Sequence, residues 1–304
     1  MPTREIAVGK LEIPDASRLI FRDSGLEERA SASFSRTDDS VRVDQKVIIS
    51  DETPDAFEYV SESGEQLKVD LHSFDAVEEF LAAAGDKAWL DITGLGHNTW
   101  APLVRTSIQV GKPLTVIYAQ PAEYVRTGEF YDLSERVEGI RPLPGFVRLG
   151  LSDEPSIFLP LLGFEGSRFE YMADRSDVDL QETHPVVGAP GFFLEYVHEV
   201  FAENRLLFEQ NAGLHRRVAY AKANCPFDLF WLLDEFSAIA GDSILKVAMI
   251  GTKPHALGAV LYATLNPAAV ELLYDHPIKS KGRTTGASKV CVYDIASHLA
   301  SLNE

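Results

Sequence analysis

The stretch Lys246–Lys279, KVAMIGTKPHALGAVLYATLNPAAVELLYDHPIK, decides the fold of this chain. It predicts a buried strand, a tight turn, a helix and a second strand that ends at a polar loop. A second stretch, Trp89–Pro121, WLDITGLGHNTWAPLVRTSIQVGKPLTVIYAQP, follows the same order. Two copies of one pattern indicate an internal duplication, because a sequence repeat is the signature of a structural unit used more than once.

The two stretches align residue by residue. When Asp91 is placed over Met249, His97 falls on His255, and the exit strands align over residues 116–121 and 272–277 with a gap of two residues. Upstream, a short apolar run leads to Gly25-Leu26-Glu27 in one half and to Gly163-Phe164-Glu165 in the other. The recurrence of two landmarks in one order favours duplication over chance similarity.

Strands that alternate with helices predict an α/β fold with two similar Rossmann-like halves, each a mostly parallel sheet flanked by helices. We expect an N-terminal domain over residues 1–128 and a C-terminal domain over residues 129–304. The second domain begins with a connector, 129–155, that is rich in Gly and Pro. In such sheets ligands bind beyond the C-terminal ends of the strands.

Composition excludes several classes of function. The net charge of −18 argues against direct binding to polymeric nucleic acid, which draws on a surface of Lys and Arg. No apolar run reaches the ~18 residues of a membrane helix. The two cysteines, Cys225 and Cys291, lack a metal-binding spacing and indicate a reducing compartment. We therefore expect a cytoplasmic protein with no membrane partner, no metal site and no resident cofactor.

The turn Gly251-Thr252-Lys253 lies where a predicted strand leads into a helix. Free backbone N–H groups and the helix dipole favour an anion at such a position, often a phosphate. Thr252 can cap the helix or bind a ligand oxygen, and Lys253 adds a positive charge. The alternative is that Thr252 is only a cap and that Lys253 is solvated.

His97 and His255 each lie at the start of a predicted helix. The positive end of the helix dipole disfavours the imidazolium form, so both rings should be neutral at pH 7. A neutral imidazole can orient a ligand hydroxyl or act as a general base. Both histidines can equally be structural.

Residues 276–289, HPIKSKGRTTGASK, contain no acid and carry four cations: Lys279, Lys281, Arg283 and Lys289. Lys279 and Arg283 are expected to join Lys253 in a cationic pocket for a phosphorylated small molecule. The alternative is a solvated mobile loop.

Acidic residues after predicted strand ends allow a different interpretation. Glu165, Asp275 and His255 are candidate catalytic residues, although the sequence does not show that they converge. Arg168 follows Glu165 by one helical turn and can simply pair with it. The signatures G-x-S-x-G, G-x-G-x-x-G and H-E-x-x-H are absent.

The turns Asp91-Ile92-Thr93-Gly94 and Gly251-Thr252-Lys253 resemble halves of the ligand-binding signature of CRISPR-associated Rossmann-fold sensors. That signature runs Thr-Gly-Gly-Thr-Lys and contacts a cyclic oligoadenylate. The resemblance covers about 15 residues in each half. It implies ligand-binding roles for Thr93, Gly94, Gly251, Thr252 and Lys253 in prokaryotic antiviral defence. The first copy departs from the signature at Leu95-Gly96-His97, and the second has Ile250 where its first Gly belongs.

These observations predict a sensor or regulatory protein that binds a nucleotide or another phosphorylated small molecule. One alternative is an enzyme, either a nucleotide hydrolase or a glycosyl-bond transferase. A second alternative is a non-catalytic subunit that has a protein partner in a larger defence complex.

Overall fold

A computed structural model of the chain describes residues 3–14, 17–31, 45–61, 63–126, 128, 131–148, 154–211 and 213–302. The strands are β1 (Thr3–Ala7), β2 (Ser17–Phe21), β3 (Lys46–Glu52), β4 (Ala56–Val60), β5 (Gln66–Asp70), β6 (Lys87–Asp91), β7 (Leu114–Tyr124), β8 (Ser134–Val137), β9 (Ser156–Pro160), β10 (Val186–Gly188), β11 (Ala219–Ala221), β12 (Ile244–Ala248), β13 (Val270–Leu273), β14 (Pro277–Lys279) and β15 (Thr284–Asp294). The α-helices are α1 (Phe74–Ala83), α2 (His97–Gln109), α3 (Gly166–Arg175), α4 (Tyr196–Glu203), α5 (Arg205–Gln210), α6 (Pro226–Ala240), α7 (Lys253–Leu265) and α8 (Ile295–Ser301). The predicted α/β class is confirmed.

The chain folds into two compact units. Unit 1 comprises Met1–Val125 and Lys281–Glu304, and unit 2 comprises Arg126–Ser280. The predicted division assigned residues 281–304 to the C-terminal domain, whereas the structure places them in unit 1. The reason is that β15 pairs antiparallel with β7 on one side and with β1 on the other. Pairing with a strand so distant in sequence leaves no local pattern to detect.

Unit 1 contains one sheet of mixed direction, with the strand order β1-β15-β7-β6-β2-β3-β4-β5. The four central strands β7, β6, β2 and β3 are parallel to one another. The strands at both edges are antiparallel to their neighbours. The prediction of a mostly parallel sheet was therefore wrong for this half, because the short turns between β3, β4 and β5 permit only antiparallel pairing.

Unit 2 contains parallel strands throughout its main sheet. Strands β13, β12 and β9 are hydrogen-bonded neighbours, and β10 pairs with β11. Bridges from Phe158 to Thr183 and from Leu161 to Val186 place β10 beside β9. The resulting strand order is β11-β10-β9-β12-β13. After β9 the chain adds β10 and β11 on one side of the sheet, and then β12 and β13 on the other. In doubly wound sheets ligands bind at such a reversal point, here between β9 and β12. The predicted connector contributes β8, which pairs with β14 apart from this sheet.

Helix α7 starts at that reversal point. It is buried at every residue from Lys253 to Ala263. Gly258 lets it approach α6 closely, because a Cβ at this position would lie 2.3 Å from the carbonyl oxygen of Pro226. Within the described residues, no helix has both the length and the apolar character needed to cross a membrane.

Candidate functional site

The turns that follow β9 and β12 pack directly against each other at the C-terminal edge of the unit 2 sheet. A Cβ on Gly163 would lie 2.8 Å from the carbonyl oxygen of Ile250. A Cβ on Gly251 would lie 2.7 Å from the carbonyl oxygen of Leu161. Both positions require glycine because two backbones touch there. A structural role is enough to explain the two glycines.

Thr252 is the N-cap of α7. Its hydroxyl accepts a hydrogen bond from the backbone N–H of His255 at 3.3 Å and donates one to the carbonyl of Ala223 at 3.0 Å. The predicted cap is confirmed. Lys253 is the first helical residue and is only 6% exposed. A cation that is buried at the positive end of a helix adds to the attraction of that end for an anion.

His255 lies in the first turn of α7 and is completely buried. Its Nε2 lies 3.1 Å from the carbonyl oxygen of Lys222, so Nε2 carries the proton and donates it. Burial lowers the pKa of His255 from 6.5 to about 4, and the ring is neutral at pH 7. Among the described residues, no hydrogen bond joins His255 to Asp275 or Glu165, so the three candidate catalytic residues do not form one hydrogen-bonded set.

A buried arginine, Arg168 of α3, joins the other two candidates. Its Nε and Nη2 donate to the carboxylate of Asp275 at 2.7 and 2.6 Å, and its Nη1 donates to Glu165 at 3.2 Å. The hydroxyl of Ser134 also donates to Glu165, at 3.1 Å. Burial alone would lower the pKa of Arg168, but the hydrogen bond and charge of Asp275 together with the charge of Glu165 outweigh burial, and the pKa is raised. The predicted pairing of Arg168 with Glu165 is confirmed, whereas the bidentate pair with Asp275 was missed.

Unit 1 holds a comparable buried cluster over its own strand ends. Arg29 donates to Glu27 at 3.1 Å, to the hydroxyl of Tyr118 at 2.6 Å and to the carbonyl of Ala119 at 2.9 Å. Burial would lower the pKa of Arg29, but Tyr118 and Glu27 raise it. Arg283 also pairs with Glu27. The sequence predicts that Arg283 binds a ligand, but its charge is balanced by Glu27, which lies far away in the sequence.

The turn between β6 and α2 is closely packed. Thr93 is fully buried, and its hydroxyl accepts the backbone N–H of Ala119 at 2.8 Å. A Cβ on Gly94 would lie 1.9 Å from the carbonyl oxygen of Arg22, so only glycine fits. His97 is buried, and its ring centroid lies 5.0 Å from that of Trp100. Packing accounts for all three residues, and their roles in ligand binding stay predictions.

The predicted basic loop is divided between the two units. Lys279 ends β14 in unit 2, whereas Arg283 precedes β15 in unit 1. Lys289 pairs with Glu5 at 2.7 Å. Much of this segment is therefore strand, because β14 finds a partner in β8 and β15 finds one in β7.

A cavity of about 750 Å³ lies at the opposite, N-terminal edge of the unit 2 sheet. Its polar lining includes Glu154, Asp177, Asp179, Glu182 and Lys246. In the part of the chain that the structure describes, no group of three or more His, Cys, Asp or Glu residues has the arrangement of a metal site.

The chain matches no protein-family model, no curated protein and no solved structure. Sequence reasoning missed the buried side chain of Arg29. Arg29 has one available signal, since an arginine follows the aligned acids Glu27 and Glu165 within one turn in both halves.

Proposed function

We propose that this protein binds a nucleotide or another phosphorylated small molecule at the C-terminal edge of the unit 2 sheet. It would act as a sensor or regulatory protein, and its setting would be prokaryotic antiviral defence. The observation that carries this proposal is the burial of Lys253 at the first position of α7, beside the reversal point of a parallel sheet. An anion is the partner that both the ammonium group and the helix N-terminus favour.

We infer that the two units are Rossmann-like halves related by internal duplication. The aligned strands have the same neighbours, since β2-β6-β7 in unit 1 and β9-β12-β13 in unit 2 are each three adjacent parallel strands. A buried arginine reaches the exit strand in each unit. Arg29 bonds to Ala119, and Arg168 bonds to Asp275, the residue aligned with Ala119. The repeated arrangement supports a shared origin for the two halves.

The contacts of the candidate catalytic residues favour binding over catalysis. A general base must reach a substrate proton, but His255 is fully buried, and the nitrogen that could accept a proton, Nδ1, is buried with it. Asp275 is also fully buried, and both of its carboxylate oxygens are held by Arg168. The enzyme alternative predicts new products from a nucleotide panel and their loss in His255→Ala.

A thermal-shift screen tests the proposal. Wild type, Lys253→Ala and the control Lys222→Ala are melted with mono-, di- and cyclic nucleotides, including cyclic oligoadenylates. Lys222 belongs to the same unit, but it is exposed and pairs with Asp228. A ligand at ~100 times its dissociation constant adds ~2.7 kcal/mol of stability. We expect a shift in wild type and Lys222→Ala that is absent in Lys253→Ala. No shift with any nucleotide would contradict the proposal and favour a subunit that binds a protein partner.

A further inference from the structure

The N-terminus of α2, in unit 1, already holds a carboxylate. Gly96 is the N-cap residue and has no side chain to cap the helix. Its backbone N–H instead donates to Oε1 of Glu52 at 2.9 Å. Glu52 ends β3, and its side chain is 9% exposed. The carboxylate of Glu52, from β3, therefore occupies the positive end of helix α2.

An arginine completes the surroundings of that carboxylate. Nη1 of Arg22 donates to Oε2 of Glu52 at 2.9 Å. Each carboxylate oxygen of Glu52 thus has one donor, a backbone amide for Oε1 and a guanidinium for Oε2. A helix N-terminal amide together with an arginine is the donor set that proteins present to phosphate.

One polar group in the same turn remains unsatisfied. Thr99 is completely buried, and its hydroxyl has no hydrogen-bond partner among the described residues. It is the third residue of α2, within the first turn after the Gly96 cap, and helical side chains lean toward the N-terminus of their helix. A carboxylate has two oxygens, and both are engaged here, whereas a tetrahedral oxyanion offers a further acceptor for this hydroxyl.

We propose that Glu52 is an internal substitute for a phosphate-type anion at the N-terminus of α2. Unit 1 accordingly contains a phosphate site that its own side chain keeps closed. This inference rests on unit 1 alone and does not require that unit 2 bind a nucleotide. If both proposals hold, each chain takes up one phosphorylated ligand rather than two.

Removal of the carboxylate tests the proposal, with inorganic phosphate as the probe. Wild type, Glu52→Ala and Glu52→Ala/Arg22→Ala are melted across a phosphate titration, with chloride added to constant ionic strength. We expect saturable stabilisation of Glu52→Ala at a phosphate concentration roughly tenfold below any response of wild type. The gain should vanish in Glu52→Ala/Arg22→Ala and weaken in Glu52→Ala/Thr99→Val.

An equal response of Glu52→Ala and wild type to phosphate would overturn the proposal. If Glu52→Ala does not melt cooperatively in chloride, phosphate is expected to restore a cooperative transition, and failure to do so also overturns it. Lys253→Ala separates the two proposals. Introduced into both wild type and Glu52→Ala, it should leave unchanged the gain in phosphate response that Glu52→Ala brings, because Lys253 belongs to unit 2.

Discussion

Arg168 and Asp275 hold each other in a buried bidentate ion pair, with Nε–Oδ2 and Nη2–Oδ1 distances of 2.7 and 2.6 Å. Arg168 lies on α3, which follows β9, and Asp275 follows β13. Nη1 of Arg168 also approaches the carbonyl oxygen of Ile250, beyond β12, at 3.4 Å. The side chain of Arg168 therefore contacts residues beyond the ends of two parallel strands from a helix that follows a third. These contacts stabilise the reversal point without a ligand.

Loss of the guanidinium should destabilise the fold strongly. Arg168→Leu leaves the fully buried carboxylate of Asp275 without its cation, and such an uncompensated charge costs about 3–5 kcal/mol. Urea unfolding measures the change. Arg175→Ala on the exposed end of the same helix is the control and should lie within about 0.5 kcal/mol of wild type.

The double variant Arg168→Leu/Asp275→Leu should be less destabilised than Arg168→Leu alone, since it removes both charges. Two residues in contact show a coupling of about 0.5–3 kcal/mol in such a cycle. Strict additivity of the two single substitutions would show that the ion pair contributes nothing of its own.

Glu27 should have a comparable effect in unit 1. Its carboxylate faces the guanidinium groups of Arg29 and Arg283. Glu27→Gln keeps the shape but removes the negative charge between the two cations, so we expect a loss of about 3 kcal/mol in urea unfolding. Hydrogen exchange should show weaker protection in β15, because Arg283 precedes that strand.

The neighbouring Glu28→Gln is the matched control for this change. Glu28 is exposed and accepts the backbone N–H of Gly286 at 3.0 Å, so its neutralisation should cost less than about 1 kcal/mol. Equal losses in both variants would remove the special role of Glu27.

Sequence patterns predicted the local elements around the candidate site. The turn Gly251-Thr252-Lys253 does connect β12 to α7, and Thr252 does cap the helix. Arg168 was placed near Glu165 because one helical turn separates them. These features are local, since an apolar run, a cap and a turn glycine each act within a few residues.

The contacts that fill the strand ends were beyond prediction. Asp275 lies 107 residues after its partner Arg168. Glu52 lies 44 residues before Gly96, whose backbone N–H donates to it. The sequence predicts Arg283 in a cationic ligand pocket, because no local pattern reveals its partner Glu27, which lies 256 residues away. Such pairings depend on which strands become neighbours, and apolar periodicity does not contain that information.

His255 should make folding sensitive to mild acid. Its pKa is lowered from 6.5 to about 4, so between these values the unfolded chain binds more protons than the folded chain. Stability is therefore complete above pH 6.5 and falls as the pH drops toward 4, by up to about 3 kcal/mol for this group.

Urea unfolding at a series of pH values measures this slope. His255→Gln should reduce the slope, because an amide can still donate to the carbonyl of Lys222 and does not titrate. Burial also lowers the pKa of His298 to about 4, so this residue should supply part of the slope that remains. The exposed residue His72, which pairs with Asp55, is the control. If His72→Gln and His255→Gln change the slope equally, burial of His255 is not its cause.

Gly251 offers a test of whether the turn glycine serves the fold or a ligand. In Gly251→Ala the new Cβ meets the carbonyl oxygens of Leu161 and Leu162 at 2.7 and 2.9 Å. Two backbones must then move apart, and we expect a loss of about 1–3 kcal/mol in urea unfolding without any ligand present. Gly163→Ala should behave alike, because its Cβ would press on Ile250 from the opposite turn.

Gly64→Ala is the control for these two changes. Nothing lies within 4 Å of a Cβ at this position, so the substitution should cost about 1 kcal/mol through its positive φ alone. Unchanged stability of Gly251→Ala without ligand, joined to a lost response to nucleotides, would assign this glycine to ligand approach instead.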